Sequence, residues 1–254
     1  MKFKLLAFVA LLGLLFSTTK VFALSLNEGK TYTNKNGIVL SEKEYQFVND
    51  FYGSDFFDDM NEEDYDWISI LDVNHKNVEI STVYDYNINH NGSNILEKGT
   101  IHSTNYKKLT IAKTCGNNTC QILTNLTWLI NPSTRSYDVI GSRLSNVSLV
   151  SGTLSTKVTS SNGTQYFSNN MYYSNGFGTS VKLPEGASNI KVQQSFITST
   201  GGTVYASYQH ATSNVDLATS YLYTISSTGL GGVFSFYGSA YGKYDGMGGV
   251  DITL

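Results

Sequence analysis

The stretch that decides the fold is residues 109–130, LTIAKTCGNNTCQILTNLTWLI. Two β-like runs, 109–114 and 120–130, lie on either side of the turn-forming residues 116–119. Successive side chains of a strand point to opposite faces, so alternate residues of the second run share one face. That face is predicted to carry Ile122, Thr124, Leu126, Trp128 and Ile130. The stretch therefore predicts a β-hairpin.

The two cysteines of the chain, Cys115 and Cys120, lie at the two ends of this turn. Their positions predict one disulfide that closes the hairpin and stabilises the fold by about 2 kcal/mol. A redox-active or metal-binding role is the alternative. It is disfavoured because two cysteines are too few for a structural zinc site and the spacing is not C-x-x-C.

A period of two continues on both sides of the hairpin. It begins at Val78, and further β-like runs follow at short spacings with Gly, Asn and Ser between them. These runs are 137–140, 144–150, 154–158, 165–167, 180–183, 190–198, 203–211, 220–226 and 232–236. Regular short strands without intervening helices predict a mainly β domain over 75–254, an antiparallel β-sandwich of jelly-roll-like type.

The segment before the β domain is acidic and helical in pattern. Residues 42–72 contain 11 of the 20 acidic residues of the chain. Ser41 with Glu44, and Asn61 with Asp64, have the spacing of capping boxes, which predicts a helix of about 12 residues ending near Gly53 and a second helix over 62–71. We expect a small acidic helical hairpin within an N-terminal extension of residues 24–74. The connection between its helices, with Asp58, Asp59, Glu62, Glu63 and Asp64, is expected to be fully solvated. The sequence leaves open whether the hairpin packs on the sheet or recruits a partner.

Residues 1–23 have the pattern of a secretory signal peptide. Lys2 and Lys4 precede an apolar run at 5–16, and Val21, Phe22 and Ala23 form a cleavage signature. The apolar run of 12 residues is too short to span a membrane. We therefore expect a secreted mature protein with no stable membrane span. Without residues 1–23 it carries 14 basic against 20 acidic residues, a balance that disfavours nucleic-acid partners.

Residues 192–242 contain one formal charge in 51 residues, that of Asp216. Three interpretations stay open for this region. Its Ser and Thr suit the solvated face of an ordinary sandwich, but a charge-poor sheet is also compatible with a membrane-inserting stem or with pairing to another chain. A pore-forming or self-assembling protein is therefore one alternative function.

Catalytic motifs are absent from the sequence, which has no phosphate-binding loop, H-E-x-x-H or G-x-S-x-G pattern. The histidines are scattered, and His210 is expected to be a hydrogen-bonded histidine at the edge of the core. A carbohydrate-active hydrolase would need two convergent carboxylates, drawn from Asp85, Asp138, Glu185, Asp216 and Asp245. No cofactor is expected, although calcium could bind the oxygen-rich set of Asp55, Asp58, Asp59, Asn61 and Glu63. That set lacks the central glycine of an EF-hand.

Aromatic residues beside glycines are the candidate binding site. They are expected in loops, where their rings could stack on sugars, or could merely cover the ends of the sandwich. The residues are Tyr172, Tyr173, Phe177, Tyr237, Tyr241 and Tyr244.

The sequence WLINPSTRSYDVIGSR at 128–143, with YASYQHA at 205–211 and YDGM at 244–247, resembles a pattern in uncharacterised exported proteins of low-GC Gram-positive bacteria, W-x3-P-x2-R-S-Y-D-V-I-G-x-R. The resemblance implies secretion, and it implies no catalytic residue because no activity is known for those proteins. From the residues themselves, Pro132 should end the Trp128 strand, and Arg135 should pair with Asp138. We interpret the motif as scaffold.

Together these features favour a secreted, non-catalytic binding protein. Its expected partner is a cell-envelope or host glycan, or a protein surface. The hydrolase and the pore-forming or self-assembling protein remain the alternatives.

Overall fold

A computed structural model describes residues 29–86, 105–217, 223–225, 233–245 and 249–254. The predicted signal peptide, residues 1–23, lies outside this part of the chain. Residues 31–254 belong to one compact unit, which is described below.

The described residues of the unit form the α-helices α1 (Glu42–Tyr52), α2 (Phe56–Asp59) and α3 (Glu62–Ser69), and a 3₁₀ turn at Gly238–Ala240. Its described strands are β1 (Thr31–Thr33), β2 (Val39–Ser41), β3 (Glu79–Tyr86), β4 (Asn105–Cys115), β5 (Thr119–Trp128), β6 (Tyr137–Ser145), β7 (Ser155–Ser160), β8 (Gly163–Phe167), β9 (Asn170–Tyr173), β10 (Gly176–Lys182), β11 (Lys191–Ser199), β12 (Thr203–Gln209), β13 (Tyr223–Ile225), β14 (Phe234–Phe236) and β15 (Val250–Thr253).

Two antiparallel sheets form the body of the protein. The six-stranded sheet has the order β3-β4-β5-β11-β7-β8, and the five-stranded sheet has the order β15-β12-β6-β10-β9. The hairpins β1-β2 and β13-β14 form two further small sheets. The predicted antiparallel β-sandwich, preceded by helices, is confirmed.

The hairpin that decided the fold lies in the middle of the six-stranded sheet. β4 and β5 form the predicted hairpin, with Cys115 opposite Cys120, and these two cysteines form the predicted disulfide. Ile122, Leu126 and Trp128 belong to the core between the sheets, as the alternation predicts. Ile130 lies beyond the end of β5 and is exposed.

The acidic helices pack on the other face of the six-stranded sheet. Ala112 of β4 and Leu123 of β5 share a second core with apolar residues of the helical segment. Both predicted capping boxes are present, and α1 ends at Gly53 as expected. The additional helix α2 was not predicted, and the sequence had left the packing of the helices on the sheet open. The expected full solvation of the helix connection is wrong for Asp64, which is 3% exposed.

Buried lysines of the sheet reach into this acidic layer. Lys108 Nζ donates to the main-chain oxygen of Asp50 at 2.7 Å, and Lys157 Nζ lies 3.4 Å from Asp64 Oδ1. Lys191 Nζ lies 4.7 Å from the centre of the Phe56 ring. Burial lowers the pKa of all three lysines, and nearby acidic residues of the helices oppose that shift. The acidity of the segment therefore complements cations of the sheet beneath it.

Two strands of the charge-poor region, β11 and β12, have neighbours on both sides within their sheets. β11 lies between β5 and β7, and β12 between β15 and β6. Gln193, Gln194 and Thr198 are fully buried, so the expected solvated face is wrong for β11. Charged side chains are rare in these strands because burying a neutral polar side chain costs far less free energy than burying a charged one. No helix in the described ranges is long and apolar enough to cross a membrane.

Two local predictions are also wrong. The runs 137–140 and 144–150 are not two separate strands, because β6 spans Tyr137–Ser145 and residues 146–150 lie beyond its end. Arg135 does not pair with Asp138: its guanidinium donates to the main-chain oxygens of Pro184 and Ala187. Gly141 lies within β6, close to the backbone of β10. A Cβ at this position would lie 2.2 Å from the Phe177 main-chain oxygen, so the close approach of the two strands requires glycine.

Candidate functional site

The aromatic residues of the candidate binding site divide between surface and interior. Tyr172 is 61% exposed, Tyr237 43% and Tyr241 74%. Phe177, in contrast, is fully buried and its ring contacts that of Phe196, with centroids 4.8 Å apart. Phe177 belongs to the core between the sheets, so its prediction as a binding residue in a loop is wrong.

The expected loop around Tyr172 is a hairpin. β9 and β10 pair with Tyr172 opposite Phe177 and Tyr173 opposite Gly176. Tyr173 packs towards the third apolar cluster, on β13 and β14, and its hydroxyl donates to the main-chain oxygen of Tyr223 at 2.7 Å. Alternation along β9 directs the Tyr172 ring to the opposite face. The predicted residues therefore do not form one patch.

Tyr237 and Tyr241 flank the 3₁₀ turn at Gly238–Ala240. Tyr241 N–H donates to the Gly238 oxygen at 3.3 Å, and Lys243 N–H donates to the Ala240 oxygen at 3.1 Å. Gly238 has a φ of 63°, a left-handed conformation that glycine adopts without steric cost. Ala240 is fully buried, so the turn is anchored while the two tyrosines on either side of it are exposed.

Aromatic packing supports this turn from below. The rings of Phe236 and Tyr244 lie 4.5 Å apart, and those of Tyr223 and Phe234 meet edge to face at 5.2 Å. Tyr244 is half-buried and forms a β-bridge with Ala211, next to β12. Of the six predicted residues, Tyr173 and Tyr244 thus support the surface, and Tyr172, Tyr237 and Tyr241 are presented to solvent.

A second, buried cluster joins the three parts of the sequence motif. Asp138 is fully buried and accepts hydrogen bonds from the Tyr208 hydroxyl, from His210 Nδ1 at 2.9 Å and from Ala211 N–H at 2.9 Å. Burial raises the pKa of Asp138, and the bond to His210 is the largest opposing effect. Burial also raises the pKa of Tyr208 well above its ordinary value.

Asp245 completes this cluster from the C-terminal side. Its Oδ2 lies 2.5 Å from Lys107 Nζ, and its Oδ1 accepts the His210 N–H at 3.0 Å. The Lys107 ammonium lies 5.5 Å from the centre of the Trp128 ring and 5.3 Å from that of Tyr208. The expectation that His210 is a hydrogen-bonded core histidine agrees with these contacts.

Sequence reasoning did not include Lys107 in this cluster, although a signal was present. Lys107 precedes Leu109 and Ile111 on the same face of β4 by alternation. A cation on an otherwise apolar face predicts a buried partner for its charge. The partner itself could not be found from the sequence because Asp245 lies 138 residues away.

Of the carboxylates considered for hydrolysis, those of Asp138 and Asp245 are held by other groups, whereas the contacts given below for Asp216 and Glu185 involve their main chain. Asp138 has donors on both of its oxygens and no exposed surface, and Asp245 is paired with Lys107. Asp216 forms a β-bridge with Tyr137, and Asn162 donates to the main-chain oxygen of Glu185. The side-chain environment of Asp85 lies outside the described residues.

The oxygen-rich set considered for calcium is not gathered into one site. Asp59 pairs with Lys35, Asn61 caps α3, and Glu63 accepts from the Tyr166 hydroxyl at 2.6 Å. Among the described residues, no group of three or more His, Cys, Asp or Glu is placed to hold a metal ion.

Comparisons with known proteins gave structural similarities only. No family model matches the chain, and no curated protein matches it. The chain is similar to the KRT10-binding region domain of the pneumococcal serine-rich repeat protein PsrP, with a TM-score of 0.30 and 12% identity over 52% of this chain and 88% of that one.

Two further similarities are of the same kind. The collagen-binding domain of Erysipelothrix rhusiopathiae surface protein RspB has a TM-score of 0.27 and 8% identity, over 55% of this chain and 61% of that one. The Streptococcus pneumoniae pilus backbone protein RrgB has a TM-score of 0.24 and 12% identity, over 53% of this chain and 52% of that one. TM-scores this low assign no ligand to the present protein.

Proposed function

We propose that the protein is a secreted, non-catalytic binding protein that contacts a glycan or a protein surface through exposed tyrosines. The observation that carries the proposal is the anchored turn at Gly238–Ala240, with Tyr241 74% exposed on one side and Tyr237 43% exposed on the other. A tyrosine offers an apolar ring for stacking and a hydroxyl for hydrogen bonding. The disulfide supports an oxidising, extracellular location.

The rigidity of the turn favours a ligand-binding role of Tyr237 and Tyr241 over a role in which they only cover the end of the sandwich. Its backbone hydrogen bonds and the buried Ala240 fix the direction of both tyrosines before any ligand arrives. Preorganised aromatic side chains lose little conformational entropy on binding, and a single aromatic anchor often contributes more than 2 kcal/mol. We therefore expect Tyr241 to be the principal contact and Tyr237 to assist it.

Co-sedimentation of the purified protein with insoluble peptidoglycan and a panel of insoluble polysaccharides tests this proposal. We expect saturable pelleting whose Kd rises at least about tenfold in Tyr241→Ala, equivalent to about 1.4 kcal/mol. Tyr166→Ala is the matched control, because Tyr166 is a 55% exposed tyrosine of β8, in the other sheet.

The outcomes separate the two kinds of ligand. Pelleting that is lost in Tyr241→Ala and retained in Tyr166→Ala supports a glycan site at the turn. If the protein pellets with none of the polymers, a panel of immobilised extracellular matrix proteins is tested with the same variants. Binding that is indifferent to Tyr237→Ala and Tyr241→Ala in both assays contradicts the proposal. Loss in Tyr172→Ala alone would move the site to β9.

A further inference from the structure

Lys107 is the most deeply buried cation of the core between the sheets. Its side chain has no exposed surface, and that of Asp245 is 17% exposed. Lysine is almost never fully buried without a partner, and Asp245 Oδ2 is in contact with its Nζ at 2.5 Å. The pair joins the beginning of β4 in one sheet to the segment that leads into β15 of the other.

The surroundings hold both groups in one geometry. The rings of Trp128 and Tyr208 lie close to the Lys107 ammonium, where they restrict access of water. Asp245 is fixed to the end of β12 twice, because its Oδ1 accepts the His210 N–H at 3.0 Å and its own N–H donates to the His210 oxygen at 3.0 Å. Asp138 in turn holds the His210 ring.

We propose that Lys107 and Asp245 condense to form an intramolecular isopeptide bond. One proton passes from the ammonium to the carboxylate, which leaves a neutral amine and a neutral acid. The Nζ lone pair then attacks Cγ, the C–O bond to one carboxyl oxygen breaks, and that oxygen leaves as water with two of the three ammonium hydrogens. The third hydrogen stays on the new amide, so no oxidant, reductant or other reactant is required.

Three features of the site favour this reaction. A nitrogen in contact with a carboxylate oxygen lies roughly 3–3.5 Å from the carboxyl carbon, which is the near-attack range. The Lys107 side chain has no exposed surface, so bulk water is kept away from the reacting nitrogen. The main-chain N–H of His210 points at Asp245 Oδ1, where it stabilises the negative charge that develops on this oxygen during attack.

The protein contains an internal comparison for this chemistry. Lys157 and Asp64 also form a buried pair, but Nζ and Oδ1 are 3.4 Å apart, and Asp64 Oδ2 accepts in addition from the main-chain N–H of Asn61 in the capping box. We expect this second pair to remain ionic. A cross-link at Lys107 and Asp245 alone would tie together residues 138 positions apart and so connect the two sheets covalently.

The test is intact mass spectrometry of the folded, purified protein after reduction of its disulfide and denaturation. We expect a mass one water molecule below that of the sequence from its measured N-terminus. Tryptic digestion followed by tandem mass spectrometry should then yield one branched peptide linking Lys107 to Asp245. Lys107→Arg and Lys107→Met should both have the full mass of their sequences. The methionine variant is included in case the larger arginine side chain cannot be accommodated at this buried position.

A competing reaction has the same mass change, and the variants distinguish it. Asp245 is followed by Gly246, so a succinimide at this site would also lose one water. A succinimide persists in the Lys107 variants, is opened by hydroxylamine and gives no branched peptide. Full mass in the wild-type protein, or loss of water in the Lys107 variants as well, overturns the proposal. Neither result bears on the tyrosine site, since the two inferences are independent.

Discussion

The pair formed by Lys157 and Asp64 should hold the helical layer on the sheet. The Lys157 side chain has no exposed surface and that of Asp64 is 4% exposed, and the ammonium also lies 4.7 Å from the centre of the Trp67 ring. Asp64→Asn keeps an oxygen that can accept the Asn61 N–H of the capping box but removes the negative charge. It therefore leaves a buried ammonium without its counter-charge.

The expected loss follows from this burial. Breaking a buried ion pair by changing one partner costs roughly 3–5 kcal/mol, a large fraction of the 5–15 kcal/mol by which typical domains are stable. For a domain of this size the loss corresponds to a fall in Tm of about 6–20 °C. Urea unfolding followed by tryptophan fluorescence measures it, and Trp67 reports directly on the layer.

Two further variants control the interpretation. Asp66→Asn makes the same charge change at an exposed position of the same helix and should alter stability by less than about 0.5 kcal/mol. Combining Asp64→Asn with Lys157→Met should recover much of the loss, because an apolar replacement of both charges removes the uncompensated ion. Equal effects of Asp64→Asn and Asp66→Asn, or no recovery in the double variant, would refute the reasoning.

Replacing Cys115 and Cys120 by serine should lower the free energy of unfolding by about 2 kcal/mol, because the disulfide closes a short loop. If the variant instead loses the native circular dichroism spectrum, the disulfide is required for the whole fold. Burial lowers the pKa of Lys157 in the folded protein below the ordinary lysine value of 10.5. Between these two pKa values the unfolded chain binds more protons than the folded protein, so the free energy of unfolding should rise with pH in that range. Lys157→Met should flatten this rise in the pH range just below the ordinary lysine pKa in urea titrations, and an unchanged slope would assign the effect to other groups.

The sequence by itself determined the elements whose signals are local. Alternation over 109–130 predicted β4, β5 and the disulfide between them, and the capping boxes at Ser41 and Asn61 predicted the starts of two helices. These features depend on neighbours within a few residues, so a local pattern carries enough information.

Only the tertiary structure decided which polar and aromatic side chains are buried and which are exposed. Charge-poor β11 was expected to have a solvated face and is instead covered on both sides, which a strand pattern with frequent Ser, Thr and Gln does not reveal. Phe177 was expected in a loop because glycines flank it, but it lies in β10 and its ring belongs to the core between the sheets. The flanking glycines allow close neighbours, because a Cβ at Gly176 would meet the backbone of β6 and one at Gly178 would meet the Tyr223 ring.

The buried cluster gives the clearest case of this limit. Trp128, Asp138, Tyr208 and Asp245 all belong to the three sequence stretches that resemble exported proteins, yet their meeting with Lys107 required the two sheets to be stacked. Contacts of this kind join positions up to 138 residues apart. Local sequence fixes which side chains point inward, whereas the packing of one sheet on another selects the partners they meet.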